Sequence, residues 1–176
     1  VGNILLLSKV SNHTMPMKQT CYRLDEQIRQ AIVLLEALWS PKQLDFDADL
    51  AEVTWRGPET LMLHVWTNLL SNAVKFSPQR GLIAVTLKQT DGRFEIAITD
   101  QGPGIPPEEQ ERIYRRFYQV DSSHQQEGNG LGLALCKQIL DDCGGIIRVE
   151  NQLPCGCRFI VTLPEKMTGE EAKQEE

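Results

Sequence analysis

Between Leu24 and Trp39 the apolar residues Ile28, Ala31/Ile32, Leu35 and Leu38 stand three or four positions apart, which predicts an amphipathic helix stopped by Pro41. Pro58 sits where proline is favoured in a first turn and opens another helix, which continues to about Phe76. Its apolar stripe is Met62, Trp66, Leu69, Leu70 and Ala73. Helical spacing returns from about Leu131 to Cys143, before Gly144-Gly145, and Val1 to about Ser11 reads as the end of a further helix. Other stretches alternate. "LIAVTLKQ" and "RFEIAITD" do so cleanly, and Asp91-Gly92 between them predicts a hairpin. "IIRVENQ" and "CRFIVTLP" predict a second hairpin, with shorter strands in "MKQTCYR", "LDFDAD" and "AEVTWRG".

Helices therefore come first and antiparallel strands later, with one helix inserted. That order predicts an α+β fold, a two-layer sandwich with helices on one face of a mixed, mostly antiparallel sheet. The long stretch from Pro106 to Gly128 lacks periodicity, and loops of that length are functional or disordered.

A chain of 176 residues allows one domain and a short appendage. Its formal net charge of −6 and its lack of clustered Lys and Arg argue against nucleic acid as a partner. No apolar run approaches the ~18 residues of a membrane span, and no signal peptide is present. The apolar start "VGNILLLSKV" reads as the edge of a longer parent, so a membrane anchor would belong to the missing N-terminal part. The five cysteines follow no disulfide framework. Cys136 and Cys143 fall on one helix face as core, and Cys155-x-Cys157 has no second pair at zinc spacing. A reducing, cytoplasmic setting follows.

Candidate chemistry sits in three places. On the helix after Pro58, His64, Asn68, Asn72 and Lys75 line up beside the apolar stripe. Asparagine competes for the backbone inside a helix, so a pair one turn apart invites a purpose: amide oxygens for a hard cation, the lysine for an anion. A solvated polar face would show the same residues. Asp100 shares the parity of Phe94, Ile96 and Ile98, which places a carboxylate on the covered face, where it needs donors. Gly102 and Gly104 follow in "QGPGIP", a bend that would let a flat ligand approach the backbone. Asp100 would suit the exocyclic amine of an adenine, or simply cap its own turn. In "EGNGLGLALCKQ", Gly128, Gly130 and Gly132 alternate at a helix entrance, opening backbone N–H groups to an anion. The spacing is neither a dinucleotide fingerprint nor a P-loop.

Taken together, "NLLSNAVKFSP", "DQGPGIP", "ERIYRRFYQVD" and "GNGLGLALCKQI" resemble the N box, first glycine box, F box and second glycine box of the catalytic ATP-binding domain of sensor histidine kinases. That family shares a superfamily with gyrase, a heat-shock chaperone and mismatch-repair ATPases. The resemblance covers about Met17 to Leu163 and implies a Bergerat-type sandwich with a long ATP lid. It implies that Asn72 coordinates Mg²⁺, that Asn68 and Lys75 contact the phosphates of ATP, and that Phe76 packs near the nucleotide. Asp100 would accept from the adenine amino group, beside Gly102, Gly104 and Ile105. Pro106 to Gly128 would form the lid, with Phe117 its anchoring aromatic and Arg116 directed at the γ-phosphate. Gly128, Gly130, Leu131, Gly132 and Leu133 would let the lid fold over the phosphates. Gln119 stands where the family often has Arg, and Tyr114 where Phe is common. No phosphoacceptor box is present, because His13, His64 and His124 lack its context.

Sister ATPases carry a water-activating Glu where this chain has Asn68. An amide takes no proton from water, so the resemblance implies slow hydrolysis and phosphoryl transfer to a histidine. That histidine would lie on the chain's own dimerisation domain, homodimeric in the parent, and would pass the group to a response-regulator receiver domain. Residues 1–14 would then be the end of the second dimerisation helix and a linker, 15–164 the catalytic domain and 165–176 an acidic, disordered tail. A serine kinase of the anti-sigma-factor type is one alternative, against which the apolar start and the well-formed F box count. A non-catalytic nucleotide-binding docking module is another, opposed by the intact Asn72, Lys75, Asp100 and glycines.

Overall fold

A computed structural model describes residues 2–13, 17–118 and 132–166. Among these the helices are α1 (Gly2–Ser11), α2 (Leu24–Leu34), the single turn α3 (Glu36–Trp39), α4 (Glu59–Phe76) and α5 (Gly132–Asp142). The strands are β1 (Thr20–Arg23), β2 (Asp45–Leu50), β3 (Thr54–Gly57), β4 (Leu82–Thr90), β5 (Arg93–Asp100), β6 (Ile146–Asn151) and β7 (Cys157–Pro164).

Five strands form one sheet in the order β2-β4-β5-β7-β6. Three of its pairings are antiparallel, and β2 joins β4 in parallel at one edge. Period-2 burial makes the sheet one-sided. Ile83, Val85 and Leu87 of β4, Phe94, Ile96 and Ile98 of β5, and Phe159, Val161 and Leu163 of β7 all face the helices. The stripe of α4 answers them, with Met62, Trp66 and Leu70 wholly buried. The sandwich is the predicted one. β1 and β3 instead pair with each other, and Tyr22 meets Trp55 edge-on at 6.2 Å. The Trp55 Nε1–H donates to the Pro164 carbonyl at 2.9 Å and ties this ribbon to the end of β7.

The predicted helix from Leu24 to Trp39 is broken. Its stripe holds through Ile28 and Ala31, after which α2 ends and Leu38 is 52% exposed. The Ile32 carbonyl accepts from both the Leu35 N–H and the Trp39 indole, and Trp39 turns onto Phe46 at 5.3 Å. Packing against β2 outweighs continued helical spacing here.

α1 buries Leu7 and Val10 in the same core. At the other end, the Glu165 N–H donates to the Gly92 carbonyl, so ordered pairing runs past residue 164. The rest of the expected tail, from Met167, lies outside the described residues. No helix among the described residues is long and apolar enough to cross a membrane.

Candidate functional site

Asp100 closes β5 on the helix-covered face and is 5% exposed. Its Oδ1 accepts from the Gly102 N–H at 2.8 Å, and the backbone N–H of Cys157 also faces the carboxyl. Burial raises its pKa above the usual carboxylate range, and the two N–H groups oppose that shift. Gly102 lets the turn touch the end of α4: a Cβ there would lie 2.6 Å from the Phe76 carbonyl oxygen and 3.0 Å from Asp100 Oδ1. The last residues of α4 and the buried carboxylate are thereby brought together.

The C-terminus of α4 is held firmly. Lys42 Nζ donates to the carbonyls of Val74 (2.6 Å) and Lys75 (3.2 Å), and Ser77 Oγ donates to the Ala73 carbonyl at 2.6 Å. The Lys42 bonds satisfy carbonyls that a helix end leaves without partners, while the Ser77 hydroxyl adds a second donor to a carbonyl that already accepts from the Ser77 N–H at 3.1 Å. Phe76 is 43% exposed, and Lys75 Nζ lies 5.4 Å from its ring centroid. Burial lowers the pKa of Lys75 and, about three turns earlier, that of His64.

His64, Asn68, Asn72 and Lys75 are all half-buried. Among the described residues, the amides of Asn68 and Asn72 have no hydrogen-bond partner. The start of α5 lies against this face: a Cβ at Gly132 would stand 3.0 Å from Asn68 Oδ1. The first turn of a helix presents unpaired N–H groups and a partial positive charge, so amides, lysine and helix end together suit a polyanion. Leu133, on that first turn, is half-buried against the core.

The stretch after Pro106 contains two short 3₁₀ turns, Pro107–Glu109 and Arg112–Tyr114. Its buried residue is Ile113, 4% exposed, and Tyr114 and Tyr118 pack against the same core. Phe117 was the expected anchor, but it has a φ of 63° and is 67% exposed. The left-handed turn at this residue carries its ring outward. Arg116 donates to Ser11 Oγ at 2.7 Å, which directs its guanidinium to α1 in this conformation. Gly128, Gly130, Leu131, Gln119 and His124 lie outside the described residues.

Three supporting residues escaped the sequence reading. Lys42 grips the end of α4, as above. Asn151 holds Ile105 through both backbone atoms. Gly156, with φ 114°, lets the β6–β7 turn cross so close to the Asp100 carbonyl that a Cβ would collide with it. The Gly in "LPCGC" was a visible turn signal, but Asn151 offered only an asparagine at a strand end.

Comparison with known proteins places the chain in a family. The model of the "Histidine kinase-, DNA gyrase B-, and HSP90-like ATPase" family matches residues 57–167. The histidine-protein kinase/phosphatase MprB of Mycolicibacterium paratuberculosis is 38% identical over 126 residues, which are 69% of this chain and 24% of that protein. The chain thus spans about a quarter of that relative's length. Among solved structures, a mycobacterial sensor histidine kinase MprB superposes with a TM-score of 0.76 at 31% identity, covering 85% of this chain and 99% of the other. The histidine kinase ThkA, in complex with the response regulator protein TrrA, gives 0.76 at 25% identity, covering 93% of this chain and 47% of the other. The chain belongs to the histidine kinase-, DNA gyrase B- and HSP90-like ATPase family, as a catalytic domain of the sensor histidine kinase kind.

Proposed function

We propose that the domain binds Mg-ATP between α4, the loop after β5 and the start of α5. It then donates the γ-phosphoryl group to a histidine on a dimerisation domain of the parent kinase, for onward transfer to a response regulator. The convergence of the buried Asp100 with the end of α4 at Gly102 carries this reading.

Each residue has a part. Asp100 keeps lone pairs for the adenine amino group while the Gly102 and Cys157 N–H groups hold its carboxyl in place. Gly102, Gly104 and Ile105 form the backbone wall on which the base rests, with Phe76 at its edge. Asn68 and Lys75 meet the phosphates, and the first turn of α5 from Gly132 adds backbone N–H groups. Asn72 would hold Mg²⁺; its neutral amide oxygen, which accepts no hydrogen bond among the described residues, fits a hard cation. The bound ion neutralises phosphate charge. Asn68 offers no proton acceptor to a water molecule, so the site favours transfer over hydrolysis.

Titrating ATP into wild type and Asp100→Asn tests this assignment. The asparagine replaces a charged acceptor, and affinity is expected to fall roughly 10- to 100-fold. Equal affinities would remove Asp100 from the adenine site.

A further inference from the structure

Asn151 ends β6, and the sheet register sets it beside Cys157, which in turn pairs with Asp100. Asn151 and Asp100 thus occupy one row on the same face of the sheet, with one strand between them. Each holds one end of the loop from Gly102 to Ile105. Asp100 Oδ1 accepts from the Gly102 N–H at 2.8 Å. Asn151 Oδ1 accepts from the Ile105 N–H at 2.8 Å, while its Nδ2 donates to the Ile105 carbonyl at 2.8 Å. A primary amide supplies that neighbouring donor and acceptor; a hydroxyl or carboxylate cannot supply both in this geometry. The loop is pressed onto the amide, since a Cβ at Gly104 (φ 78°) would lie 2.8 Å from Asn151 Oδ1. The Ile105 carbonyl also accepts from Gln110 Nε2 at 3.2 Å, so the start of the following segment hangs on the same peptide.

We propose that Asn151 is a positioning residue for nucleotide binding. Its amide clamps the Ile105 peptide, sets the height of the loop relative to Asp100, and fixes the point from which the lid departs. The inference rests on the adenine assignment of Asp100. Asn151 is itself exposed, so substituting it alters the loop without opening the core.

The test uses Asn151→Asp and Asn151→Leu in the 176-residue chain. The aspartate keeps the acceptor but turns a second oxygen toward the Ile105 carbonyl; the leucine removes both bonds. Loss of the clamp is expected to weaken ATP, ADP and AMP alike by about tenfold, as two modest hydrogen bonds would imply. The factor by which Mg²⁺ tightens ATP binding is expected to stay at the wild-type value, because the phosphate half of the site is untouched. In the nucleotide-free protein, Asn151→Leu is expected to speed hydrogen exchange at the Ile105 amide while the melting temperature holds. Wild-type affinity for all three nucleotides in both variants overturns the proposal, as does a general drop in melting temperature that accounts for the weaker binding. Failure of the wild-type chain itself to bind ATP overturns the underlying site reading, and that result is seen without any variant.

Discussion

Two buried carboxylates in this molecule do opposite work. Asp25 is sealed from solvent and receives Arg23 at 2.7 and 2.8 Å and Arg29 at 2.8 Å, from side chains that remain 43% exposed. Hydrogen bonding from Arg23, reinforced by Arg29, holds its carboxyl well below the usual range, against the opposing effect of burial. A depressed folded-state pKa gives stability that is present above the unfolded value near ~4 and lost as pH falls toward the folded one. Asp25→Asn is therefore expected to cost about 2 kcal/mol at neutral pH by chemical denaturation, with the gap to wild type closing in acid. A gap independent of pH would contradict the ion-pair account. Asp100 has the reverse sign. Burial raises its pKa, so its contribution favours folding at low pH and turns unfavourable as pH rises through the folded value. Under the proposed adenine assignment, the exocyclic amine would add a donor to this carboxylate and offset part of the cost of its burial. Its placement was legible from parity along β5. The role of Asn151 was not, because its partner Ile105 lies 46 positions away and nothing local announces it.

At the scale of elements, α4 and α5 frame the proposed site through their ends. The Lys42 and Ser77 bonds keep the last turn of α4 in place, while Gly132 allows the first turn of α5 to approach Asn68. Gly132→Ala separates fold from function. Gly132 has no left-handed φ, so alanine there restricts the unfolded chain by about 0.4–1 kcal/mol and the melting temperature should hold or rise. The added methyl, 3.0 Å from Asn68 Oδ1, must displace that amide, and ATP affinity should fall several-fold. Unchanged affinity would mean that Asn68 and the α5 terminus act separately. Long, strongly periodic elements such as α4, β4 and β5 were readable because burial repeats along them. The break after α2 was hidden, since Leu35 and Leu38 keep helical spacing while Trp39 leaves it to pack on Phe46.

For the molecule as a whole, the order of helices and strands carried the architecture, and four ordered motifs carried the family. The parallel edge between β2 and β4 and the separate β1–β3 ribbon had no such signature, because strand pairing depends on contacts distant in sequence. The same distance concealed how α1 joins the rest: Leu7 and Val10 enter the core, and Ser11 accepts from Arg116 across 105 positions. In the proposed function this domain keeps its ATP for a histidine. The direct measurement supplies the parent kinase's dimerisation domain in trans with ATP labelled at the γ-phosphate, and follows both protein label and free phosphate. An acid-labile, base-stable phosphoprotein on that domain is expected, with little phosphate release by the catalytic chain alone. Acid-stable label, or rapid phosphate release without an acceptor, would contradict it.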